Sequence, residues 1–99
     1  MTDPIVQARR INRTWIVRGH LAENTARYLD DLETRDPALL RTVCERAVTA
    51  AHQASKEQRD PKPDFYAWIF SRATEEERER YLRDHNWTRQ RAEELAAGQ

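Results

Sequence analysis

The sequence predicts an all-α fold: a compact bundle of four to five helices centred on a helix at about residues 37–59, with a C-terminal helical arm. Three observations lead there. Leu40, Val43, Cys44, Ala47, Val48, Ala51 and Ala54 recur three and four residues apart and draw one apolar stripe. Asp-Pro occurs at 3–4 and again at 36–37, each time pairing an N-cap residue with one suited to a first helical turn. Thr74 with Glu77 makes a capping box.

From Asp3-Pro4, Ile5, Ala8, Ile11 and Trp15 continue at helical spacing, and Gly19 is suited to end the helix. The pattern supports helix to about residue 13. Beyond it, Thr14-Trp15-Ile16-Val17 is β-branched and aromatic and reads equally as a short strand. A second helix is expected over about His20 to Arg35, with Leu21, Thr25, Tyr28, Leu29 and Leu32 on one face. The third helix carries the stripe, and its alanine half lets a neighbour approach closely.

Asp60-Pro61-Lys62-Pro63 reads as an extended break, because two prolines at alternate positions disfavour helix between them. Asp64 is then expected to cap a short aromatic helix over 65–72. After the capping box, Glu76–Arg80 and Glu79–Arg83 stand at ion-pair spacing. A break at His85-Asn86 precedes a last helical stretch over 88–97 with Ala92, Leu95 and Ala96 on one side. The whole is one helical domain, with an N-terminal part at about 3–59, the break at 60–63 and a C-terminal part at 64–97.

Composition bounds the function. The chain has 99 residues, 34% of them charged, and a formal net charge of zero. Leu, Ile, Val and Phe total 17 and the 13 alanines add little area, so the core is expected to be thin, with a dimer or a partner to compensate. The single cysteine, Cys44, excludes an intrachain disulfide. Residues 1–20 lack the apolar run of a signal peptide and no stretch is long enough to span a bilayer, so a cytoplasmic protein is expected. The 15 arginines against two lysines accord with a GC-rich source genome.

Chemistry is mostly excluded. His20, His52, His85 and Cys44 fall on separate elements without metal-ligand spacing, so no metal is expected. Two distant glycines cannot build a phosphate loop, and no nucleophile motif is present. Glu75-Glu76-Glu77 complements a helix dipole better than it suits acid–base catalysis. Neither an enzyme nor a cofactor is expected.

Two binding surfaces stand out. Residues 65–70 read Phe-Tyr-Ala-Trp-Ile-Phe and hold half of the eight aromatics. A six-residue apolar run on a helix points to every side, since successive residues turn about 100°. One neighbour cannot cover it. Phe65, Tyr66, Trp68 and Phe70, with Trp87 in the polar C-terminal part, are therefore the candidate protein-binding residues. Arg9, Arg10, Arg13 and Arg18 against the single acid Asp3 form a basic N-terminal segment, the candidate nucleic-acid surface.

Thr14-Trp15-Ile16-Val17-Arg18, followed by Leu21 to Leu32 and Asp36 to Val48, resembles a ribbon-helix-helix DNA-binding dimer. The resemblance spans residues 13–52 and implies a strand at 14–18 paired across a dimer, its side chains in the major groove. The zero net charge argues the other way. The expectation is a small non-catalytic protein, of the kind phages or plasmids encode, that binds another protein, or itself, as inhibitor, adaptor or regulator. A dimeric DNA-binding regulator is the alternative.

Overall fold

In the computed structural model, which describes residues 3–14 and 20–98, every regular element is a helix. Six occur among these residues: α1 (Pro4–Thr14), α2 (Leu21–Arg35), α3 (Pro37–Lys56), α4 (Pro61–Ile69), α5 (Glu75–Leu82) and α6 (Asn86–Ala97). The expected all-α bundle is present, with one helix more than expected.

The central helix is α3, which packs against α1, α2 and α4. All seven residues of the predicted stripe are buried. Burying a Leu or Val side chain stabilises by about 1.5–3 kcal/mol. Leu40, Val43 and Val48 therefore carry most of its burial energy, and the small Ala47, Ala51 and Ala54 set the closeness of approach. The predicted face of α2 is likewise buried in full, from Leu21 to Leu32. Tyr28 of that face stacks on Phe70 with ring centroids 4.7 Å apart, which ties α2 to the end of α4.

The helix ends follow from local hydrogen bonding. Asp3 accepts from the Ile5 N–H at 2.8 Å, and that bond holds its carboxyl below the usual carboxylate range, with Arg41 alongside. Asp36 joins α2 to α3 by itself. Its N–H donates to Leu32 O at 2.7 Å, its carboxylate accepts from Leu39 N–H at 3.1 Å, and its carbonyl accepts from Leu40 N–H at 3.0 Å. At the other end of α3, Gln58 sits at φ 59°. The Arg59 N–H reaches Ala54 O at 2.8 Å and the Gln58 N–H reaches Ser55 O at 3.1 Å, a Schellman closure with glutamine where glycine is usual.

Residues 60–63 correct the expected break. Pro61 and Pro63 lie inside the first turn of α4, where a missing N–H costs nothing because those donors have no helical acceptor. Asp60, not Asp64, is the cap and accepts from Lys62 N–H at 3.1 Å. The helix starts four residues earlier than expected, and Asp64 pairs with Arg59 at 3.0 Å.

The C-terminal arm docks through two routes: α4 packs on α6, and α2 on α5. The Thr74–Glu77 capping box forms in both directions. Glu76 pairs with Arg80 at 3.5 Å, whereas Glu79 pairs with Arg89 of α6 instead of Arg83. Thr88 and Ala92 bury the inner side of α6. The radius of gyration is 12.3 Å, against about 13 Å for a compact domain of this length.

The strand-or-helix choice at 14–18 resolves only at its first residue: Thr14 closes α1. Trp15, Ile16, Val17, Arg18 and the expected stop at Gly19 lie outside the described residues.

Candidate protein-binding face

Helix α4 lies between α3 and α6 and has one outward side. Helical spacing puts Pro61, Asp64 and Trp68 on that side. Two shallow grooves flank it. On the α3 side, Glu45, Arg46, Thr49, Ala50, Gln53 and Trp68 enclose about 510 Å³. The Arg46 guanidinium lies over the Trp68 ring, 5.5 Å from its centroid. This sets a cation against the negative face of the indole. On the α6 side, Pro63, Asp64, Trp87, Gln90, Arg91 and Glu94 enclose about 340 Å³.

The five aromatics expected at a binding surface divide sharply. Phe65, Tyr66 and Phe70 are at most 1% exposed and belong to the core. Trp68 is half-buried, and Trp87 is 57% exposed. The premise that one neighbour must cover the aromatic run is corrected: α4 touches more than one. Phe65 meets Tyr66 edge-on at 5.1 Å, Phe70 meets Tyr28 of α2, and the Tyr66 hydroxyl donates to Asn12 Oδ1 of α1 at 2.9 Å. The fold thus leaves Trp68 and Trp87 as the aromatic side chains beside its two grooves.

Charges around the α6-side groove are compensated within the chain. Asp64 pairs with Arg59 at 3.0 Å, and Arg91 with Glu94 at 3.3 Å. Sequence reasoning missed Glu45, Arg46, Pro63 and Asp64 as groove residues. Their signal was present in part, since Glu45, Arg46, Thr49 and Gln53 are among the residues of α3 that fall off its apolar stripe.

The basic N-terminal segment does not assemble as one free surface. Arg9 is held by Asp30 at 2.9 Å and Glu33 at 3.0 Å, so its charge is spent on α2. Arg10 and Arg13 are exposed, with no ion pair among the described residues, and Arg18 lies outside them. The two helices of the ribbon-helix-helix resemblance are present as α2 and α3, but residues 13 and 14, where its ribbon would begin, are helical.

The remaining chemical groups are dispersed. Cys44 is buried, and that burial pushes its thiol up to about 12, far from a reactive thiolate at neutral pH. His20 and His52 are exposed on different helices, and His85 is the N-cap residue of α6. Among the described residues, no three His, Cys, Asp or Glu side chains stand close enough to hold a metal ion. A hollow of about 1000 Å³ between Asn24 and the Thr74–Asp84 stretch is walled mainly by solvated Glu and Arg side chains. It lacks the apolar lining and convergent polar groups of a small-molecule site.

No helix among the described residues is long and apolar enough to cross a membrane. No protein-family model matches the chain, and no match was found among curated proteins or solved structures.

Proposed function

We propose that this chain is a non-catalytic protein-binding module that acts as an inhibitor, adaptor or regulator through the Trp87 groove. One observation carries the proposal. The described residues contain seven aromatic side chains, and Trp87 alone among them is exposed. A tryptophan in water forgoes a large burial energy, and rigid aromatics are the side chains most often found at binding hot spots. Pro63 gives the groove a second apolar wall, and Asp64, Gln90, Arg91 and Glu94 supply a polar rim. A cytoplasmic setting accords with a single, buried, unpaired cysteine.

The test places a photo-crosslinking amino acid at position 87 and, separately, at exposed Glu75 as a control, in the cell that makes the protein. A discrete adduct from position 87 and none from 75 supports the proposal. Identical adducts from both positions, or none from 87, reject it. Trp87→Ala is expected to lose the partner while its thermal midpoint stays near that of the wild type, because an exposed side chain contributes little to folding.

A further inference from the structure

The other groove points to a different occupant. Glu45 and Arg46 are adjacent on α3, and both line the Trp68 groove. Glu45 has no cation partner among the described residues, and Arg46 has no carboxylate; Arg46 is held only by the Trp68 ring. Just beyond the end of α3, by contrast, Arg59 is paired with both Glu57 and Asp64. The groove therefore offers one unspent negative charge beside one unspent positive charge, over an apolar floor of Trp68 and Ala50.

We infer that the α3–α4 groove is a self-association face whose occupant is a second copy of this chain. A two-fold axis between Glu45 and Arg46 sets each opposite its counterpart: Glu45 of one copy meets Arg46 of the other, twice per dimer. An isologous contact requires this self-complementarity, since the same patch is used on both sides. A partner of strong single-signed charge finds no match there. The formal net charge of zero means that long-range repulsion does not oppose the encounter. The two Trp68 rings, each under its own Arg46, fill the centre. The inference does not rest on the proposed function, which concerns the opposite side of α4 and Trp87.

The charge pattern gives a test that only a two-fold contact passes. Sedimentation equilibrium is measured on the wild type, on Glu45→Arg, on Arg46→Glu and on the double variant Glu45→Arg/Arg46→Glu. The wild type is expected to dimerise. Each single reversal sets like charges opposite each other twice and is expected to weaken dimerisation by about tenfold or more. The double variant, and an equimolar mixture of the two single variants, are expected to regain it, because both restore two opposite-charge contacts. Arg46→Glu also removes the cation from Trp68, so Glu45→Arg is the cleaner single change. Both altered positions, Glu45 and Arg46, are exposed, and circular dichroism should show unchanged folds. A wild type that stays monomeric at high micromolar concentration overturns the inference. So does a dimer that ignores the single reversals, or one that the mixture fails to restore.

Discussion

The Tyr66 hydroxyl donates to Asn12 Oδ1 at 2.9 Å inside the core, and Asn12 Nδ2 donates in turn to the Ala22 carbonyl at 2.9 Å. One buried amide thus joins three helices: α1, α4 and the first turn of α2. Asn12→Ala removes both bonds from a site 3% exposed. The expected loss is about 1–3 kcal/mol, or a midpoint lower by roughly 5–15 °C in a domain of this size. Tyr66→Phe removes one bond and should cost less. Thermal melts of the two variants check the order. A smaller loss for Asn12→Ala would show that the amide is dispensable.

Glu77 combines two roles at the start of α5. One oxygen accepts from Thr74 N–H at 3.0 Å, and the other accepts from Arg35 at 2.9 Å. Thr74→Ala should cost about 1 kcal/mol through the lost cap. Glu77→Gln keeps the capping geometry and should cost less than Glu77→Ala, which loses both contacts. Denaturant titration separates the three; equal effects of Gln and Ala would assign the whole contribution to the Arg35 pair.

Gln58 holds φ 59° at the close of α3. The left-handed region costs a side-chain-bearing residue about 1–2 kcal/mol, and glycine escapes this at some entropic loss in the unfolded chain. Gln58→Gly is expected to stabilise by about 0.5–1 kcal/mol. Gln58→Val should destabilise, because a β-branched residue tolerates this conformation worst. Opposite signs in urea midpoints are the expected outcome, and a destabilised glycine variant would refute the strain argument.

Cys44 makes stability fall at alkaline pH. Burial raises its thiol from 9.0 to about 12. Between those values the unfolded thiol has lost its proton while the folded one keeps it. The unfolded state binds fewer protons, so unfolding becomes easier as pH rises, with a slope approaching about 1.4 kcal/mol per pH unit from this group. The contribution is intact below pH 9 and gone above 12. Tyr66, also raised to about 12 from 10.0 by burial, adds to the upper part of the window. Comparing wild type with Cys44→Ala from pH 8 to 11 isolates the cysteine. Parallel curves would contradict the assignment.

The sequence was most informative where one helix face meets one core. The stripe from Leu40 to Ala54 and the α2 face from Leu21 to Leu32 are buried residue for residue, because a long amphipathic helix declares its inner side by period alone. The capping box was equally plain, being a purely local device. The misreadings have a common cause. Pro61 and Pro63 look like breakers unless the cap at Asp60 is recognised, which turns the same residues into a first turn. Phe65, Tyr66 and Phe70 look like an unburiable run because periodicity does not count neighbours, and α4 has contacts from several elements. The grooves were invisible for a related reason: Arg46 over Trp68 and Pro63 beside Trp87 are meetings of residues far apart in the chain.

Asp36 gives the α2–α3 connection an energetic character beyond its brevity. Ordinarily two helices joined by a loop fray separately, each losing its terminal turn without troubling the other. Here the same residue donates backward to Leu32 and accepts forward from Leu39 and Leu40. Unwinding the last turn of α2 uncaps α3, and opening the first turn of α3 releases the end of α2. The two ends therefore form one cooperative opening unit, and their amides should exchange with solvent together, at a single rate, as a crease with no slack in it.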